Sequence, residues 1–178
     1  MSDPSLAPLI ETERLRLRPF VEGDAETWRA RVFADPEVRR YLPPTSDLPI
    51  ERLCEAIPRL EEHWTARGYG WWAVEELESG RFLGHVGLRF VEEVGETEVL
   101  YAFARDSWGR GIATEAAGAA LRFGFAEAGL DRVVAFAVPE NRASIRVMEK
   151  LGMRLERTQH IFDLDTVRYA ITREEWER

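Results

Sequence analysis

Residues 97–118 read TEVLYAFARDSWGRGIATEAAG, and the order of textures within them decides the fold. VLYAFA (99–104) is a strand-like apolar run. A helical pattern begins at Ile112. Between the two, Gly109 and Gly111 bracket Arg110 where strand hands over to helix. A helix N-terminus carries backbone N–H groups without intrahelical partners, together with the positive end of the helix dipole. Glycines just ahead of it let an anion approach the backbone closely. WGRGIAT therefore reads as a phosphate cradle, with Arg110 adding charge and Thr114 a hydroxyl. The competing reading is a tight turn that holds nothing.

Outward from this loop the pattern stays mixed. ERLRLRPF (13–20) alternates as a half-buried strand, and Val21 to Phe33 reads as a helix. A proline-rich connection follows. Ile50 to Arg67 has helical spacing, with Pro58 expected to kink or divide it. GWWAVEEL, RFLGHVGLRFV and TEVLYAFAR are three successive strands, separated by hairpin turns at ESGR and EEVGE. Ile112 to Ala128 is a helix stopped by Gly129. RVVAFAV (132–138) is a strand buried on both faces. Arg142 to Leu151 is a short helix with Asn141 as N-cap and Gly152 as stop. MRLERTQHIF and TVRYAIT form a closing hairpin. The order implies an α/β (α+β) fold with a mixed, mostly antiparallel sheet covered by helices. One domain over residues 9–172 is expected, after a short tail at 1–8.

The 178 residues carry 24 basic and 32 acidic side chains, a net charge of -8. That balance argues against general nucleic-acid or anionic-membrane binding, because both need a basic surface. Cys54 is the lone cysteine, so no internal disulfide or cysteine-based zinc site is expected. His63, His85 and His160 lack metal-ligand spacing, and no metal is expected. The N-terminus lacks the features of a signal peptide and no run has the length of a membrane span, so the expected compartment is the cytoplasm.

Two familiar phosphate loops fail here. A Walker loop needs a Gly-Lys-Ser/Thr string that is absent. A Rossmann loop needs a third glycine where Thr114 stands, and an acid after the next strand. Asp131 precedes that strand and Glu140 is too distant, which argues against a nucleotide-dependent oxidoreductase. EVLYAFARDSWGRGIATEA (98–116), followed by VPENRASIRVMEKLGM (138–153), resembles the acetyl-CoA motifs of the GNAT superfamily of N-acetyltransferases. TERLRLRPF, GWWAV and FLGHVGL resemble its Rim-type branch, which contains the ribosomal-protein N-terminal acetyltransferases.

The resemblance implies a set of roles. Backbone amides of Trp108, Gly109, Arg110, Gly111, Ile112, Ala113 and Thr114 would hold the pyrophosphate of acetyl-CoA. The strand from Tyr101 to Phe103 would run beside the pantetheine arm and polarise the thioester carbonyl. The strands splaying after Phe103 and Val138 would form the acetyl notch, with Asn141 and Ser144 at its far side. The tyrosine that protonates the departing thiolate in much of the superfamily is Met148 here, leaving Ser144 or water. Glu98, matching a recurrent acid of the branch, is the first candidate base, acting directly or through water. Asp163 and Asp165 are alternatives.

Such chemistry needs a polarised thioester, a deprotonated amine and a stabilised leaving group. Arg142, Arg146 and Lys150 share one helix face and could reach coenzyme phosphates. Trp28, Tyr41, Trp64, Tyr69, Trp71 and Trp72 supply candidate walls for an acceptor pocket. The expected acceptor is a protein N-terminal amine, with polyamines and antibiotics next. A non-catalytic acyl-CoA sensor is the reading from another class. Self-association through apolar edges of the final hairpin and helices is also expected.

Overall fold

The computed structural model describes residues 7–178. Strands β1 (Ile10–Glu11) and β2 (Leu15–Arg18) precede helices α1 (Asp24–Trp28), α2 (Pro36–Arg39) and α3 (Ile50–Arg67). The meander β3 (Trp71–Glu76), β4 (Phe82–Val91) and β5 (Glu96–Phe103) follows. Helix α4 (Ile112–Ala126), β6 (Arg132–Ala137) and α5 (Arg142–Lys150) come next. β7 (Arg154–Ile161), β8 (Leu164–Thr172) and α6 (Arg173–Trp176) end the chain.

All eight strands form one sheet in the order β1-β2-β3-β4-β5-β6-β8-β7, antiparallel everywhere except between β5 and β6. Apolar side chains cover both faces. One cluster joins Leu17, Trp72, Leu83, Leu88, Val99 and Phe103 to Ile112, Ala116 and Ala120 of α4 and Ile145 and Met148 of α5. The other joins Trp28, Val32, Val38, Leu53 and Ile57 to Ala73, Phe82 and Ala102.

The parallel pair β5/β6 positions the site. Its ladder consists of the single register pair Glu98↔Val134. Beyond that point the strands part, whereas β5 stays paired to β4 as far as Gly84↔Phe103. The closed end is held by side chains instead. Glu96 on β5 accepts from Arg132 on β6 at 2.8 Å and from Arg168 on β8.

Several expectations need correction. The helix expected over 21–33 is a shorter α1 followed by a π-helical turn, Arg29–Phe33, closed by the Ala34 N–H donating to the Arg29 carbonyl at 2.7 Å. The wider turn buries Val32 and Phe33 and lets Arg31 reach the Phe82 carbonyl and Asp106. The proline-rich connection contains α2, which Asp35 caps by accepting the Glu37 N–H ahead of a Pro36 start.

Helix α3 runs undivided through Pro58. Pro58 and Cys54 are both exposed, so the Cys54 carbonyl left without its N–H partner lies on the solvent side of the helix. The tail expected at 1–8 is docked where it is described: Ala7 is buried, and the Pro8 carbonyl accepts the Trp72 indole N–H at 2.9 Å. Residues 1–6 lie outside the described residues. Edge strand β7 is largely polar and solvent-facing, with Leu155 its one exposed large apolar side chain, so the apolar edge expected there is absent.

Candidate active site

A cavity of about 370 Å³ opens where β5 and β6 part. Tyr101, Ala102 and Phe103 line it from the strand. Ser107, Trp108, Gly109 and Gly111 line it from the loop, and Ile112, Ala113 and Thr114 from the first turn of α4. Asn141, Ser144, Arg146 and Lys150 line it from α5 and its cap. Glu37, Val38, Tyr41 and Leu42 close it on the α2 side. Val38 packs with Ala102 on one sheet face, whereas Ile112 and Ile145 pack on the other. The cavity therefore passes through the sheet rather than resting on it.

The loop geometry explains its glycines. Gly109 and Gly111 have φ of 71° and 76°. A Cβ at Gly109 would meet nothing within 4 Å, so backbone conformation rather than space requires the glycine there. No side chain caps α4 at Gly111, so the N-terminal amides of a 15-residue helix are left for a ligand at the cavity wall.

Two loop groups expected to face the coenzyme have partners within the protein. The Trp108 N–H donates to the Arg105 carbonyl at 3.1 Å. Its indole N–H donates to the Phe103 carbonyl at 2.9 Å, tying the loop to the end of β5. Arg110 is not among the lining residues; its guanidinium turns to Glu76 at 3.0 Å.

On α5, the Asn141 side chain accepts the Ser144 N–H at 3.2 Å, as expected of an N-cap. Ser144 Oγ lies 2.9 Å from the Tyr101 hydroxyl across the parted strands. Burial pushes that phenol up to about 12, so it stays protonated, a hydrogen-bond donor or acceptor rather than a charge. This hydroxyl was missed by the sequence reading, which used only the backbone of Tyr101. Two-residue alternation along β5 was the signal that could have found it. Arg146 and Lys150 line the cavity and have no ion-pair partner among the described residues, whereas Arg142 does not line it. Met148 is buried in the core and supplies no proton to the cavity.

Glu98 is 4% exposed and does not line the cavity. It lies roughly 10 Å along the strand from Tyr101 at the usual rise per residue. Its carboxylate accepts from Arg89, at 2.8 Å from Nε. Burial raises its pKa above the ordinary range against the opposing pull of Arg89. Asp163 and Asp165 sit in the β7–β8 hairpin away from the cavity, and Asp165 pairs with His160. Among the aromatic residues expected at an acceptor wall, Tyr41 lines the cavity, while Trp28, Trp64, Tyr69 and Trp72 are core. Trp71 stacks on His85 at 4.9 Å.

Among the described residues no cluster of three or more His, Cys, Asp or Glu could hold a metal ion, and no helix is long and apolar enough to cross a membrane.

A glycine loop feeds an uncapped helix beside a parted pair of parallel strands, and comparison with known proteins gives this arrangement a family. The family described as acetyltransferase (GNAT) domain matches residues 14–154. The uncharacterized protein YkkB of Bacillus subtilis is 37% identical over 154 residues, covering 83% of this chain and 86% of its own. A GNAT-family acetyltransferase structure from Bacillus anthracis aligns with a TM-score of 0.80 and 29% identity, over 94% of this chain and 99% of that one. RimJ of Mycobacterium smegmatis, solved in complex with CoA-disulfide, shares the fold at a TM-score of 0.81 and 23% identity, over 98% and 86%. The chain belongs to the GNAT acetyltransferase family.

Proposed function

We propose that residues 9–172 act as one cytoplasmic acetyltransferase domain that moves an acetyl group from acetyl-CoA to a primary amine. A protein N-terminal amine is the first acceptor. The observation that carries this reading is the cavity through the sheet, with the uncapped α4 terminus at one wall and α2 at another. Access from both faces suits a direct transfer between two substrates held together. The RimJ structure with a coenzyme A derivative supports the choice of cosubstrate.

Acetyl-CoA supplies an activated thioester. Gly109, Gly111, Ile112, Ala113 and Thr114 would hold its pyrophosphate through backbone N–H groups, with Arg146 and Lys150 adding positive charge. The backbone of Tyr101 and the Phe103 N–H, unpaired toward β6, would hold the arm and polarise the carbonyl. Asn141 fixes the first turn of α5, and so the place of Ser144. The Ser144–Tyr101 hydroxyl pair would donate to the departing sulfur. Glu98 would take the amine proton through water, since it stands back from the cavity.

A second reading, a small polyamine or cationic antibiotic as acceptor, is favoured by Glu37, the one carboxylate lining the cavity among the described residues. Calorimetric titration with acetyl-CoA, for the wild type and for Gly109→Val/Gly111→Val, tests the core of the proposal. Binding by the wild type that is lost in the variant is the expected result. A folded wild type that binds nothing refutes it. Binding without thiol release across a panel of amines would replace the enzyme by an acyl-CoA sensor.

A further inference from the structure

Two stretches almost a hundred residues apart meet at the coenzyme loop. Thr12 donates its hydroxyl to Glu115 Oε1 at 2.6 Å, and the Arg14 backbone N–H donates to the same oxygen at 2.9 Å. Arg14 Nε donates to Glu115 Oε2 at 2.7 Å. The same guanidinium donates from Nη1 to the Arg110 carbonyl at 2.7 Å. One planar side chain thus grips both the loop and the first turn of α4. A lysine, with a single ammonium, cannot reproduce that fork.

The grip also settles an electrostatic conflict. Glu115 lies in the first turn of α4, where a carboxylate opposes a bound pyrophosphate. Burial alone would raise its pKa, but hydrogen bonds from Thr12 and Arg14 outweigh that and hold it below the ordinary range. The carboxylate therefore stays charged, and Arg14 is the cation that offsets it.

We infer that Arg14, supported by Thr12, is a positioning residue that shapes the glycine loop for the coenzyme pyrophosphate and neutralises Glu115 beside it. The inference rests on the reading of this loop as the phosphate site. Arg14 does not line the cavity, so it acts through Arg110 and Glu115.

The test compares two acetyl donors, acetyl-CoA and S-acetylpantetheine, which lacks the pyrophosphate. In Arg14→Lys the ratio of kcat/KM for acetyl-CoA to that for S-acetylpantetheine falls about tenfold, the loss of one charge-assisted hydrogen bond. Most of the change lies in the KM for acetyl-CoA. Arg16→Ala, which removes an exposed pairing between β2 and Glu11 of β1, leaves the ratio at the wild-type value. A general loss of folded protein cancels in the ratio. If both donors decline equally in Arg14→Lys, or neither changes, the positioning role is overturned. If the wild type itself shows no preference for acetyl-CoA, the phosphate reading of the loop falls first, and the inference with it.

Discussion

Acid should loosen the cluster that carries α2, and one histidine sets the size of the effect. His85 is 4% exposed on β4, with Trp71 stacked against it and Phe33 at 6.0 Å. Its Nδ1 accepts the Trp28 indole N–H at 3.0 Å. Protonation there would set a donor against a donor. Burial, aided by the charge of Arg89, lowers the His85 pKa from 6.5 to about 3. The unfolded chain therefore binds a proton that the folded chain refuses, below about pH 6.5. Stability falls as pH drops through that window toward 3. At pH 5 the gap from 6.5 is 1.5 units, or about 2 kcal/mol. His63 is shifted the same way by burial, and Glu98 the opposite way, so the wild-type curve alone mixes three groups. Urea unfolding at pH 7, 6 and 5, for the wild type and for His85→Gln, isolates one. Glutamine keeps an acceptor for Trp28 but cannot charge. The wild type should lose about 2 kcal/mol more than the variant between pH 7 and 5. Parallel pH dependences in the two proteins would refute the reasoning.

Two further outcomes are expected. Glu98→Gln should depress kcat/KM more at neutral than at high pH, where the free amine needs no base, and should remove an acidic limb lying above the ordinary carboxylate range. An unchanged pH profile excludes Glu98 as the base. Asp163, with φ of 59° in the two-residue β7–β8 turn, sits where glycine is favoured. Asp163→Gly should raise Tm by about 1–2 °C, relief of the left-handed conformation being partly offset by greater freedom in the unfolded chain. A lower Tm in a melting curve would contradict the assigned strain.

What was legible in the sequence was local. The apolar run before the loop, the two glycines and the helix after them act over a few residues, so β5, the turn and α4 stand where their residue types put them. Asn141 reads as a cap because capping is decided within one turn. The failures needed a third dimension. Nothing near Arg110 names Glu76, which arrives from another strand. The π-helical turn appears because Val32 and Phe33 find a core built partly from β4. Ala7 and Pro8 look like a tail until Trp72 arrives from more than sixty residues away. Glu98 was singled out by resemblance, yet its distance from the cavity and its pairing with Arg89 depend on cross-strand register.

The parting of β5 from β6 has one more consequence. A strand that loses its neighbour halfway exposes a row of unmatched N–H and C=O groups, and such rows normally recruit another chain and seed aggregation. Here the exposed row is recessed in the middle of an eight-stranded sheet, between α4 and α5 on one face and α2 on the other. A second polypeptide strand would need both sides of that row clear, and helices lie against each. The fold thus keeps a raw sheet margin in its interior while shielding it from the pairing that would glue one molecule to the next.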